Sequence, residues 1–276
     1  MAHDLAVTPR RKLNLRKIDP ASTAGVPERD KADAQALKWA RKIGELQDVL
    51  YASGTRSLLV ILQGMDAAGK DGTVRHVFDD VNPTGVRVTS FKSPTPLEQR
   101  HDFLWRVHEM VPPRGEIGVF NRSHYEEVLI VRVHADRFLP PELRGDRKLW
   151  EIRYSLINDF ESVLDQNGTH VLKFFLHISK AEQKRRFESR QQDQTKHWKL
   201  SASDFAERQY WNDYQHAYEQ MLAATSTKTA PWYIIPADRK WVRNYHITRI
   251  VCATLEKMKL KFPPTPDPRL VRMKIK

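Results

Sequence analysis

Residues 64–71 read Gly64-Met-Asp-Ala-Ala-Gly-Lys-Asp71, two glycines five positions apart and then a lysine. That is the spacing of a P-loop. Backbone N–H groups of such a turn point at phosphate oxygens, and the start of the following helix adds positive potential. Gly64, Ala67, Ala68, Gly69, Lys70, Asp71, Gly72 and Thr73 are therefore phosphate-binding candidates, with the Lys70 ammonium placed to neutralise non-bridging oxygens. The residue after the lysine, ordinarily Ser or Thr, is Asp71. A carboxylate is an even harder oxygen ligand for Mg2+ than a hydroxyl. Asp66 is a second carboxylate inside the loop. Two acids beside a phosphate site are odd unless a cation bridges them to the phosphate. Asp66 and Asp71 are thus expected metal ligands, Mg2+ the expected cofactor and phosphoryl transfer the expected chemistry.

A second cluster, Asn121-Arg-Ser-His-Tyr-Glu-Glu127, follows a short apolar run. Asn121 sits where many P-loop enzymes place a metal-binding aspartate, and the fork of Arg122 suits a phosphate. Asn121, Arg122, Tyr125 and Glu126 are the nucleotide-binding candidates. A third cluster is Lys180-Ala-Glu-Gln-Lys-Arg-Arg-Phe-Glu-Ser-Arg190. On a helix, Arg186 and Arg190 share a face and Arg185 is turned away by about 100°. Arg185, Arg186 and Arg190 are expected to close over phosphates and exclude water, which protects a transferase from hydrolysing its donor. Arg75 and Lys92, with Arg87 and Arg100, add weaker positive charge near the expected loop ends. The eleven histidines show no metal spacing. Trp198, Trp211, Trp232 and Trp241 are expected to pack in the core or under a lid.

These clusters need a frame, and the chain alternates the elements of one. Residues 31–53 repeat apolar side chains at helical spacing and stop before Gly54. Strands are predicted at 57–63, 86–91, 116–120, 171–178 and 232–235. Helices are predicted at 71–80, 97–110, near 122–133, and at 147–167, 180–192, 203–224 and 238–260. Alternation of this kind gives an α/β fold with a five-stranded parallel sheet covered by helices on both faces. A basic arm, partly ordered at best, is expected over residues 1–30, one phosphotransferase domain over 31–262 with a lid at about 180–210, and a basic tail over 263–276.

The chain has 276 residues, of which 40% are hydrophobic and 29% charged, a globular composition. No apolar run approaches the roughly 18–20 residues of a membrane helix, so no membrane partner is expected. The first residues lack an apolar signal segment, and the single cysteine, Cys252, cannot form an internal disulfide, which together suggest a cytoplasmic protein. The net charge of +12 calls for a polyanionic partner. Nucleic acid is one candidate, but no helix-turn-helix, zinc-ligand or RNA-recognition pattern appears, so no specific nucleic acid is expected. A conventional ATP-dependent nucleoside or nucleotide kinase is a second alternative.

Four segments together, Gly64-Met-Asp-Ala-Ala-Gly-Lys-Asp-Gly-Thr73, Phe120-Asn-Arg-Ser-His-Tyr-Glu126, Lys173-Phe-Phe-Leu-His-Ile-Ser179 and Ala230-Pro-Trp-Tyr-Ile-Ile-Pro236, resemble type-2 polyphosphate kinases over residues 32–260. The resemblance implies a thymidylate-kinase-like P-loop fold with a helical lid. It implies Mg2+-dependent, reversible phosphoryl transfer between inorganic polyphosphate and nucleotides. By that likeness Asp66 and Lys70 are the catalytic pair of the loop and Arg122 a phosphate ligand. Most classes of the family carry Asp at the position of Asn121. The Asn-Arg-Ser-His-Tyr-Glu form resembles class III, whose members accept both AMP and ADP to make ADP and ATP; guanine nucleotides are further candidate substrates. A homo-oligomer is expected, with the 31–53 helix and the basic termini as contact surfaces.

Overall fold

A computed structural model of the chain describes residues 5–275. In chain order its main elements are α1 (Arg29–Ser53), β1 (Ser57–Gln63), α2 (Lys70–Val77), β2 (Val86–Ser90), α3 (Trp105–His108), β3 (Ile117–Asn121), α4 (Ile130–Val133), α5 (Ala135–Phe138), α6 (Arg147–Gln166), β4 (Thr169–His177), α7 (Lys180–Gln192), α8 (Ala202–Glu207), α9 (Trp211–Thr225), β5 (Trp232–Pro236) and α10 (Lys240–Lys257). The five strands form one parallel sheet in the order β2-β3-β1-β4-β5. All seven residues of β1 are buried, which explains its unbroken apolar sequence: a central parallel strand has helices on both faces. The helices form two groups, α1, α2 and α10 packed together, and α4, α6 and α9 packed together. The fold is therefore a three-layer α/β sandwich. After β1 the chain leaves toward β2 and β3, and it later returns to β1's other side as β4. That switch opens a crevice at the carboxyl ends of β1, β3 and β4, where α/β proteins bind ligands.

Close packing of α1 depends on small residues. Its buried side includes Ala32, Ala36, Ala40, Ile43, Gly44 and Leu50. At Gly44 the backbone carbonyl of Asp80, just beyond α2, leaves no room for a methyl group. Trp39 meets Tyr245 of α10 edge-on at 5.0 Å.

Several expectations change. The helix expected over 97–110 is instead a 3-10 turn at Glu98–Arg100 and the single turn α3. The Asp102 carboxylate accepts from Leu104 N at 2.9 Å, a local bond that competes with a continuous helix. The helix expected near 122–133 starts as a 3-10 turn, His124–Val128, because Ser123 caps Tyr125 N and both His124 and Tyr125 turn inward. The connector after α7 is itself structured, with a 3-10 helix at Gln194–Lys199 before α8. The described part of the basic arm is anchored rather than loose: Val7 and Leu15 are buried, Val7 N donates to Trp232 O at 2.8 Å, and Ala6 bridges Tyr233 antiparallel. Residues 1–4 and 276 lie outside the described residues. Trp232 is core, as expected, whereas Trp198 is 77% exposed on the connector. No helix of the described residues is long and apolar enough to cross a membrane.

Candidate active site

The P-loop links β1 to α2, and its shape follows from positive φ at Gly64 (155°), Ala67 (62°) and Gly69 (107°). At Gly64 a side chain would also press on the Leu176 carbonyl, 2.8 Å from where its Cβ would stand. Lys70 is buried and its ammonium donates to Gly64 O at 2.7 Å and Met65 O at 3.4 Å. Burial first, and then the nearby Arg122, lower its pKa. The Thr73 hydroxyl donates back to Gly69 O at 3.1 Å within its own helix, and Gly72 follows in the first turn.

The ends of β1 and β3 meet above this loop. Arg122 Nη2 lies 2.5 Å from Asp66 Oδ1, and Nη1 lies 4.0 Å from Glu126. Glu126 and Asp66 hold the guanidinium firmly protonated. Arg122 has a φ of +61°, a strained value for a side-chain-bearing residue at a sheet's carboxyl end. Asn121 Nδ2 donates to Asp71 Oδ1 at 2.8 Å, and Lys199 from the connector donates to Asp71 Oδ2 at 3.0 Å. Burial pushes the Asp71 carboxyl up, but the hydrogen bonds from Lys199 and Asn121 outweigh it and the net pKa is lowered.

The arginines of α7 divide by position. Arg186 is buried, and its Nη1 donates to Ala67 O and Ala68 O, each at 2.9 Å. Its Nη2 donates to Ala237 O and Asp238 O, while Nε pairs with Glu182 at 2.7 Å. Arg186 therefore does not reach over phosphates as expected; its fork is spent on carbonyls of the P-loop and of the β5–α10 loop. Arg185 is exposed and bidentate to Glu182 at 2.6 and 2.7 Å, so it too lies outside the cradle. Arg190 stays near the site, 3.9 Å from Asp204, whose carboxyl is pushed up by burial and by Asp66. Arg75 and Lys92 are exposed, and among the described residues neither hydrogen-bonds to the loop through its side chain. Tyr125 is a further correction. It is fully buried, with its hydroxyl donating to Glu161 at 2.7 Å, and cannot touch a nucleotide from there.

Other residues complete the site without any local signal in the sequence. Gln183 Nε2 donates to Asp66 O at 2.9 Å, and Arg208 holds Gln183 at 2.5 Å. Lys199, Asp204 and Arg243 also lie here. Gln183 and Lys199 bond to loop residues 117 and 128 positions away, beyond any spacing rule. Among the described residues no group of three or more His, Cys, Asp and Glu could cage a metal ion. The donors at the loop are the two carboxylates Asp66 and Asp71.

A family model described as polyphosphate kinase 2 matches residues 27–263. The chain belongs to the polyphosphate kinase 2 family. It is 46% identical to the AMP/ADP-polyphosphate phosphotransferase of Meiothermus ruber, over 93% of this chain and 94% of that protein. It is 47% identical to the ADP-polyphosphate phosphotransferase of Rhodopseudomonas palustris, over 83% of this chain and 80% of that one. The crystal structure of polyphosphate kinase 2 from Arthrobacter aurescens TC1 superposes with a TM-score of 0.91 at 42% identity, covering 98% of this chain and 94% of that chain. The family's shared kinase character agrees with a P-loop at the switch point of a parallel sheet.

Proposed function

We propose that the chain transfers phosphoryl groups reversibly between inorganic polyphosphate and nucleotides, converting AMP to ADP and ADP to ATP. The observation that carries this is the Asp66–Arg122 pair standing over the Lys70 loop: an acid and a fixed cation where two phosphates must meet. The names of the relatives, an AMP/ADP-polyphosphate and an ADP-polyphosphate phosphotransferase, support the same substrates. In this reading the donor's terminal phosphate lies on the N–H groups of the loop and Lys70 neutralises its oxygens. Arg122 holds the incoming nucleotide's phosphate, and Asp66 orients the attacking oxygen. That oxygen is already anionic near neutral pH, so positioning and charge neutralisation outweigh base catalysis. Arg190 takes the lid role first expected of three arginines.

Mg2+ is the cofactor of this reading. Such an ion commonly takes one or two protein carboxylates and completes its shell with waters and substrate phosphates, and the donor chemistry of Asp66 and Asp71 fits that need. Bound there, it supplies charge neutralisation at the phosphate oxygens. We place the enzyme in a cytoplasm and expect a homo-oligomer, with no specific nucleic acid as partner.

The test is incubation of the protein with polyphosphate, Mg2+ and AMP, followed for ADP and ATP. Formation of both is expected; a folded protein that makes neither overturns the proposal. Transfer to the nucleotide from ATP, and none from polyphosphate, would instead identify a conventional nucleotide kinase.

A further inference from the structure

One buried cation beside the phosphate loop has no part in the chemistry above. Arg243, on the first turn of α10, is 3% exposed. Its Nε and Nη2 both donate to Asn244 Oδ1, at 3.1 and 2.7 Å. Its Nη1 lies against the Gly69 turn, where a methyl group on Gly69 would collide with it. A methyl group on Gly72 would meet Nη2 at 3.5 Å. The guanidinium thus fills the space into which Gly69 would point a side chain, directly behind the N-terminal turn of α2.

Two other cations, Arg186 and Lys240, lie close enough to act on it, and the pKa of the nearby His76 ring is lowered by burial and then by Arg243. Arg186 has the Glu182 carboxylate and four carbonyls; Arg243 has an amide oxygen, and among the described residues no carboxylate pairs with it. Burial and the charge of Arg186 push its pKa down to about 10. A guanidinium buried without an anion is costly, and replacing buried charge by apolar side chains of similar volume is often neutral or stabilising. The anion that balances it is therefore sought outside the protein, on the other side of the Gly69 turn.

We propose that Arg243 is a positioning residue of the phosphate site: it sets the Gly69 turn from behind and supplies, through the loop, positive potential that holds the donor's phosphates. The inference rests on the polyphosphate reading above. It makes the free protein less stable than it could be and the phosphate-bound protein tighter.

The experiment uses the full chain with Arg243→Met, Arg243→Gln and Arg243→Lys, and tripolyphosphate as probe without nucleotide. Binding is read by calorimetry and by the ligand-induced shift in Tm, and steady-state kinetics are run with polyphosphate and AMP. Arg243→Met is expected to keep or raise the Tm of the free protein, to weaken tripolyphosphate binding about tenfold or more, and to raise KM for polyphosphate while leaving KM for AMP unchanged. Arg243→Lys, which keeps the charge, should recover part of the affinity, and Arg243→Gln should not. A lower Tm with unaltered tripolyphosphate affinity overturns the proposal and makes Arg243 a packing residue. If Arg243→Met fails to fold, equal affinities for the Lys and Gln variants overturn it as well. Wild-type protein that binds tripolyphosphate but makes no ADP sinks the functional reading instead, while the variant comparison still decides the role of Arg243.

Discussion

Lys70 and Asp66 were legible as chemistry because a P-loop's demands are local: glycine where φ is positive, lysine at the helix start. Replacing Lys70 by Ala or Asp66 by Asn should lower kcat/KM about 10²–10³-fold, the usual effect of removing one charge aimed at a phosphoryl transition state, with thermal stability measured alongside. Near-normal turnover in both would remove the site. Asp71 was also legible, but its partner Lys199 was not, since they stand 128 residues apart. Lys199 holds a carboxylate oxygen that a cation would use. Lys199→Ala should therefore tighten Mg2+ binding in a calorimetric titration by up to about fivefold, the scale of an exposed ion pair of ~1 kcal/mol. Weaker binding would show that Lys199 supports the site rather than competing for it. Arg186 and Tyr125 were misread for one reason: residue type and spacing give the face of an element but not which buried acceptor lies opposite.

At the scale of elements, the five strands, α1, α6 and α10 were readable from periodicity, and the failures gathered in short segments. Residues 97–110 and 122–133 contain enough apolar positions for helices, but the Asp102 and Ser123 side chains bind nearby N–H groups and the chain turns early. Helix α1 carries a further consequence. Gly44→Ala should raise intrinsic helix propensity, yet the methyl group would meet the Asp80 carbonyl. The collision should win, with a loss of about 1–3 kcal/mol in urea unfolding. An unchanged or higher stability would mean that α1 can shift away from the end of α2.

For the whole molecule, the charge of +12 spoke of a polyanion without locating it, and the structure brings Arg122 and Lys199 onto the two carboxylates of the loop. Burial also acts on several of the histidines. His76, His124, His170, His177 and His246 all have lowered pKa values, with burial the largest cause in each, and His246 is pushed down to about 4. Below the ordinary histidine pKa near 6.5 the unfolded chain takes up protons that these groups refuse, so stability is full above that value and falls as pH drops. For His246 the loss runs from about 6.5 to about 4. Tm should accordingly be lower at pH 5 than at pH 7.5, and a replacement of His246 by a non-titrating side chain should flatten that slope. A Tm constant across the interval would contradict the burial of these rings.

Arg186 ties the first two turns of α7 to two separate loops through four backbone oxygens. A door hung there cannot swing from its frame at Lys180. Any closing stroke over substrate must bend farther along, between Phe187 and the connector that bears Lys199. A cover that closed in this way would have a short reach and would leave in place the bonds by which Arg186 holds the P-loop.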